Sequence, residues 1–123
     1  MGFMNLPFVF RLQAVINAIN GVIFWLASAA ILEMANMEAT IDLVTMAQAF
    51  ATMFIVIAIV GWQLPDLAGD KIAKAAKIFI IVNLIWSAAL VYHLLTGAIS
   101  GNTPVINIAL NLLFTLLYYL KSR

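Results

Sequence analysis

The segment that decides the fold is residues 78–120, IFIIVNLIWSAALVYHLLTGAISGNTPVINIALNLLFTLLYYL, in which none of the 43 residues is Asp, Glu, Lys or Arg. A helix that crosses about 30 Å of hydrocarbon needs about 20 uncharged residues, so this segment is long enough for two spans. The turn-forming run SGNTP at 100–104 divides it, because Pro104 is suited to the first turn of a following helix. The segment therefore predicts one helix over about 70–98 and another over about 104–121.

Two further windows without charge precede this segment. Residues 12–32 and 43–65 contain 21 and 23 uncharged residues, and each is long enough for one span. They predict helices over about 8–33 and 41–64. The sequence therefore predicts an all-α fold, an integral membrane four-helix bundle in which residues 1–123 form a single transmembrane domain.

The composition favours a membrane over water. Hydrophobic residues make up 66% of the chain and charged residues 9%, whereas soluble domains carry about 45–50% and about 25%. Eleven charges are too few for a solvated surface. The chain has no cysteine, which excludes disulfides and thiolate metal sites, and its net charge of +1 gives no reason to expect nucleic acid as a partner. Membrane lipids are the expected surroundings.

The basic residues lie on one side of the predicted topology. In a four-span chain, the N-terminus, the second loop and the C-terminus share one side of the membrane. All six positive residues fall there: Arg11, Lys71, Lys74, Lys77, Lys121 and Arg123. The charged residues of the opposite side are acidic: Glu33, Glu38 and Asp42. The positive-inside rule therefore predicts a cytoplasmic N-terminus and a cytoplasmic C-terminus.

Amide and hydroxyl side chains form one stripe on each predicted span. An unpartnered polar group in hydrocarbon costs several kcal/mol, so these stripes are expected to face other helices or an internal cavity. One set, toward the cytoplasmic half and the middle, is expected to join the helices by hydrogen bonds of about 0.6 kcal/mol each. This helix-packing polar stripe comprises Gln13, Asn17, Asn20, Asn83, Ser87 and Thr52.

A second polar set lies toward the other half of the spans and is a candidate ligand site. Its polar members are Gln48, His93, Asn107, Asn111 and Glu33. Trp25 and Trp86 are expected to close the pocket. A pocket there requires a cavity of roughly 300 Å³ or more. Helix packing would place the same amides on the same faces, so both interpretations stay open. A pathway for a solute is less favoured, because no charged residue lies in the middle of a span.

The sequence contains no constellation of residues for catalysis. It has no glycine-rich phosphate loop and no nucleophile elbow. His93 is the only histidine. A proton relay or a quinone contact is conceivable for it, but a lone interfacial histidine is more commonly hydrogen-bonded to a neighbour. A bis-histidine haem or a catalytic metal would need further ligands. We therefore expect no catalytic residue, no metal site and no cofactor in a protein that is not an enzyme.

The chain resembles the small four-helix DoxX-like bacterial membrane proteins. The likeness rests on Phe10-Arg11-Leu12 at the start of an apolar helix with Gly21, a basic cytoplasmic loop, and a fourth span that ends at Lys121. It implies a location in the bacterial cytoplasmic (inner) membrane and, in some members, a role as an accessory subunit of a redox assembly. Small multidrug resistance exporters are similar in length but depend on a glutamate in the first helix, where this chain has Asn17 and Asn20.

The function expected from these patterns is that of a small non-enzymatic membrane protein. It would act as an accessory or interaction subunit of a membrane assembly, packed against a copy of itself as a homo-oligomer or against other membrane subunits. The alternative is a binder or carrier of a small lipophilic molecule through a pocket in the outer half of the bundle.

Overall fold

The computed structural model describes residues 5–123, and every regular element within that range is helical. The elements are α1 (Leu6–Leu26), α2 (Ser28–Met34), α3 (Ile41–Ala68), a 3-10 turn (Gly69–Lys71), α4 (Ile72–Leu95) and α5 (Asn102–Lys121). Three stretches are long and apolar enough to cross a membrane: Leu6–Leu26, Ile41–Leu95 and Asn102–Lys121. The second stretch comprises α3, the 3-10 turn and α4.

The chain folds back on itself between α3 and α4. Gly69 ends α3 with φ +55°, a backbone region that residues with a Cβ atom rarely adopt. Beyond the turn, the Trp86 ring of α4 lies 5.8 Å from the Phe54 ring of α3 and 6.4 Å from the Phe50 ring. The two helices are therefore antiparallel. They contact each other little: α3 packs mainly on α1, and α4 packs mainly on α5.

The first helix of the predicted bundle is interrupted. Where the sequence predicts one helix over 8–33, the chain leaves the helical region at Ala27, with φ −119° and ψ 32°, and α2 begins at Ser28. The N–H of Ala27 still bonds to the carbonyl of Ile23, so the two helices follow each other directly. The bend falls toward the end of the bundle that holds the α4–α5 loop.

The remaining helices also differ in length from their predicted ranges. The predicted 41–64 helix extends to Ala68 with Pro65 inside its last turn. The predicted 70–98 helix ends at Leu95, because Gly97 turns the chain with φ +78°. The predicted 104–121 helix starts at Asn102, which leaves Pro104 in its first turn, where a helix needs no N–H.

The best-packed core lies where α1 and α4 begin and α5 ends. Phe10 of α1 lies 4.8 Å, ring to ring, from Tyr118 of α5 and 4.9 Å from Phe79 of α4. Ala76 of α4 and Phe114 of α5 are buried in the same cluster. This cluster joins three helices at one end of the bundle.

At the opposite end, the two long loops contact each other. The Ser100 N–H donates to the carbonyl of Ala35 at 3.2 Å, and Asn36 Nδ2 donates to Ser100 Oγ at 2.6 Å. Gly101, with φ +88°, lies so close to the carbonyl of Met34 that a Cβ atom there would overlap it. The loop after α2 and the loop before α5 are therefore held together.

Candidate ligand-binding site

A cavity of about 500 Å³ lies between α3 and α4 and reaches inward to α1 and α5. All the residues that α3 contributes to its lining are apolar: Phe50, Met53, Phe54, Ile57 and Val60. Helix α4 adds Phe79, Val82, Asn83, Ile85 and Trp86. Helices α1 and α5 contribute only amides, Gln13, Asn17 and Asn111. The cavity therefore has apolar sides and a polar wall of Gln13, Asn17, Asn83 and Asn111, which we call the amide wall.

The cavity opens sideways between two helices. Met53 of α3 is 58% exposed and Ile85 of α4 is 65% exposed, although both line the cavity. The amide wall lies away from this opening, and Gln13 and Asn83 are buried. A volume of about 500 Å³ is within the range of about 300–1,000 Å³ typical of sites for small molecules.

A chain of hydrogen bonds runs behind the amide wall. The Tyr118 hydroxyl donates to Gln13 Oε1 at 2.7 Å, and Gln13 Nε2 donates to Asn83 Oδ1 at 3.0 Å. All three side chains are buried. These two hydrogen bonds connect α5 to α1 and α1 to α4, so the bonds that orient the site also join the helices.

The chain of hydrogen bonds ends in an unused donor. Asn83 is 4% exposed, and its Nδ2 has no hydrogen-bond partner within residues 5–123. A buried donor without a partner costs about 1–3 kcal/mol. Asn83 also lines the cavity, so its unpartnered Nδ2 is the candidate donor of the amide wall for a ligand.

The amides of α5 turn their donors toward their own helix. Asn111 Nδ2 donates to the Asn107 carbonyl at 2.9 Å, and Asn107 Nδ2 donates to the Thr103 carbonyl at 3.1 Å. In the described part of the chain, neither side-chain carbonyl accepts a hydrogen bond. Both residues, with Asn17 and Asn20, line a second cavity of about 20 Å³ beside the first, which is large enough for about one water molecule.

The structure places the predicted ligand-binding set in several different locations. Trp86 and Asn111 line the main cavity, and Asn107 lines the small one. Neither cavity is lined by the other four predicted residues: Gln48, Trp25, His93 and Glu33. His93 and Glu33 are exposed, and Trp25 Nε1 instead donates to Thr52 Oγ1 at 3.2 Å.

The helix-packing stripe supplies most of the amide wall. Gln13, Asn17 and Asn83 line the main cavity, and Asn20 lines the small one. Ser87 is buried with no partner for its hydroxyl among the described residues. Thr52 is exposed and bonds to Trp25 and to the Gln48 carbonyl.

The apolar lining of the cavity was not among the residues selected from the sequence, apart from Trp86. One signal existed, because Phe50, Phe54 and Ile57 recur at helical spacing on α3. A row of large apolar residues on a hydrophobic helix is equally typical of a surface that faces lipid, so the pattern alone does not identify a cavity.

Comparison of the chain with protein-family models, with curated proteins and with solved structures finds no match. The resemblance to DoxX-like proteins therefore stays a prediction. Within residues 5–123, no three His, Asp or Glu side chains lie together in a way that could hold a metal ion.

Proposed function

We propose that this chain is an integral membrane protein that binds a small, uncharged, lipophilic molecule in the cavity between α3 and α4. The observation that carries the proposal is the division of the cavity into apolar sides and an amide wall with an unpartnered donor, Asn83 Nδ2. A binding site for an amphipathic molecule requires this division. No catalytic role is assigned to any residue.

The membrane part of the proposal is supported by the outer surface of the bundle. Large apolar side chains cover it, including Ile59, Ile78 and Ile85 in α3 and α4. We infer four spans, with α1 and α2 together forming the first. The core cluster brings the starts of α1 and α4 to the end of α5, so all six basic residues belong to one end of the bundle. By the positive-inside rule that end is cytoplasmic, and the bacterial inner membrane is the proposed location.

The position of the opening indicates the route of the ligand. The opening lies near the middle of α3, between Phe50 and Val60, rather than at either end of the bundle. In a bilayer that part of the helix lies in the hydrocarbon. A ligand would therefore enter sideways from the lipid and would have to be soluble there.

The lining also determines the charge of the ligand. No Asp, Glu, Lys, Arg or His lines the cavity in the described part of the chain. A charged group in such a site would lose its hydration without gaining an opposite charge, which is costly. We therefore assign the site to an uncharged molecule.

A second candidate is the accessory or interaction subunit that the sequence predicts. The open face between α3 and α4 is the observation that favours it, because side chains of a partner helix, from another subunit or from a second copy, would fit there. A partner with an apolar helix would leave Asn83 Nδ2 unpaired, which is why we place the small molecule first.

The proposal is tested by native mass spectrometry of the protein released from nanodiscs of bacterial lipid. We expect an uncharged small molecule to remain bound to the wild type. Ile57→Trp should lose it, because Ile57 lines the cavity, whereas Ile59→Trp, on the same helix but outside the lining, should retain it. A protein that carries no molecule and shows no saturable uptake of added long-chain ketone or alkane would contradict the proposal. A homo-oligomer or hetero-oligomer without bound molecule would favour the accessory subunit.

A further inference from the structure

The group that Asn83 leaves free is determined by Tyr118, which does not line the cavity. An asparagine side chain can present either its carbonyl or its NH₂ group, and the choice depends on its hydrogen-bond partners. Here the partner is Gln13, whose own orientation depends on Tyr118. The chemistry offered to a ligand therefore depends on a hydroxyl that does not line the cavity.

The donor-to-acceptor direction of these hydrogen bonds follows from the Tyr118 hydroxyl. Tyr118 is fully buried, and its hydroxyl has one hydrogen-bond partner among the described residues, Gln13. The hydroxyl proton is satisfied only if Gln13 presents Oε1 to it. Gln13 must then present Nε2 to Asn83, so Asn83 accepts through Oδ1, and its Nδ2 remains an unpartnered donor on a residue that lines the cavity.

We propose that Asn83 selects ligands whose head group is an uncharged carbonyl oxygen, such as that of a ketone, ester or quinone, and that Tyr118 and Gln13 are positioning residues for this selection. The inference rests on the proposed function, since it requires that the cavity binds a lipophilic molecule. It names the class of head group: one that accepts a hydrogen bond and carries no charge.

The other amides of the wall do not provide the same selection. Asn111 donates its Nδ2 to its own helix and has only its carbonyl left for a ligand. Asn17 makes no side-chain hydrogen bond among the described residues, so nothing holds its amide with the donor rather than the carbonyl toward a ligand. Asn83 combines burial, an unpartnered donor and a position in the lining, and a carbonyl oxygen would satisfy that donor directly.

The test compares two probes of equal chain length, 2-decanone and decane, for binding to the full chain in nanodiscs. Both fill the apolar part of the cavity, but only the ketone accepts a hydrogen bond. We expect the wild type to bind the ketone about tenfold more tightly than the alkane, as for one hydrogen bond to an otherwise unpartnered donor. Bound ketone should also show its C=O stretch at lower wavenumber than ketone in lipid alone.

Three variants separate selection from folding, because the measured quantity is the ratio of the two affinities. Asn83→Leu should bring the ratio close to one and return the C=O stretch to its value in lipid. Tyr118→Phe should lower the ratio while leaving alkane binding unchanged, since it removes only the hydroxyl that orients Gln13. Gln63→Leu, which removes an exposed amide outside the lining, should keep the wild-type ratio.

The possible failures are distinguishable. If neither probe binds saturably, the proposed function itself fails. If both probes bind the wild type equally, the cavity binds lipophilic molecules but the selection by Asn83 is refuted. If Asn83→Leu keeps the preference for ketone, the donor has been assigned to the wrong residue. If Gln63→Leu abolishes the preference, the preference does not arise in the cavity. A Tyr118→Phe variant with an unchanged ratio would remove Tyr118 from the mechanism.

Discussion

Gln13 on α1 donates a hydrogen bond from Nε2 to Oδ1 of Asn83 on α4, and the 3.0 Å bond joins residues that are 70 positions apart. It connects the α1–α3 pair to the α4–α5 pair across the inner wall of the cavity. One side chain thereby contributes both to the stability of the bundle and to the orientation of its candidate site.

Replacing Gln13 should destabilise the bundle. Gln13→Leu leaves the Tyr118 hydroxyl and Asn83 Oδ1 without their partner, and each such buried group costs about 1–3 kcal/mol. The free energy of unfolding in mixed micelles of increasing SDS content measures the effect. Gln63→Leu, the same change at an exposed position of α3, is the control and should alter stability little. Equal effects of the two substitutions would contradict a structural role for the Gln13 bonds.

The α1–α3 contact depends on a glycine. A Cβ atom at Gly21 would lie 2.8 Å from Ile55 Cγ1 and 3.0 Å from the carbonyl oxygen of Ala51. Gly21→Ala should therefore force the helices apart and cost about 1–3 kcal/mol by overpacking. At Gly61, the nearest atoms lie at 3.7 Å or more, so Gly61→Ala should be neutral or stabilise the helix by up to about 1 kcal/mol. The same SDS unfolding measurement separates the two, and a more destabilised Gly61→Ala would refute the packing described.

Two glycines with positive φ should differ in their tolerance of alanine. Gly69 has open space around its missing Cβ, so Gly69→Ala should cost only the backbone strain, about 1–3 kcal/mol. At Gly101 the Cβ would also overlap the Met34 carbonyl. Gly101→Ala should therefore be more destabilising and should speed amide hydrogen exchange at Ser100, whose N–H bonds to Ala35. Similar exchange rates at Ser100 in the two variants would show that the loop contact is unimportant.

The ion pair between Arg11 and Asp66, at the end of the bundle that holds the basic residues, should contribute little to stability. Arg11 lies 3.1 Å from the Asp66 carboxylate, but the two side chains are 35% and 72% exposed. Such pairs are worth about 0–1 kcal/mol. Asp66→Asn should therefore change the free energy of unfolding far less than Gln13→Leu does. A larger loss in Asp66→Asn would mean that the ion pair, rather than the buried amides, holds the helices together.

Sidedness can be measured directly because the chain has no cysteine. Ser122→Cys should be labelled by an impermeant maleimide only after the membrane is opened, if the basic end is cytoplasmic. Glu38→Cys, in the loop at the opposite end, should be labelled in intact cells. The reverse pattern would overturn the proposed orientation, and labelling of both sites in intact cells would overturn the proposed number of spans.

Much of the helical architecture was predictable because charge and turn residues mark its limits. The break at Ser100–Pro104 is visible in the sequence as a run of turn formers, and α5 begins within it. The bend at Ala27 was not predictable, since alanine favours helix and residues 22–26 before it contain no proline or glycine. That bend depends on tertiary packing rather than on local preference.

The cavity was only partly predictable. The stripes of amides identify residues that need polar partners, and Asn83 and Asn111 are among them. Whether the partners are other side chains or a ligand depends on how far α3 and α4 diverge. Helix α3 contacts α1 at Gly21, and α4 joins the aromatic cluster around Tyr118. These are interactions between distant segments, which the local sequence does not reveal.

The most direct test of a ligand site between α3 and α4 is quenching of Trp86 fluorescence by a bromine-labelled long-chain ketone in nanodiscs. Trp25→Phe and Trp62→Phe together leave Trp86, which lines the cavity, as the single tryptophan. Unlabelled 2-decanone should compete with the probe. Ile57→Phe is the cavity-filling variant, and Ile59→Phe, on the same helix but outside the lining, is its control; neither change adds or removes a tryptophan. We predict saturable quenching that Ile57→Phe weakens and Ile59→Phe leaves unchanged. Quenching that rises linearly with the amount of probe in the lipid, equally in the wild type, Ile57→Phe and Ile59→Phe, would contradict the account.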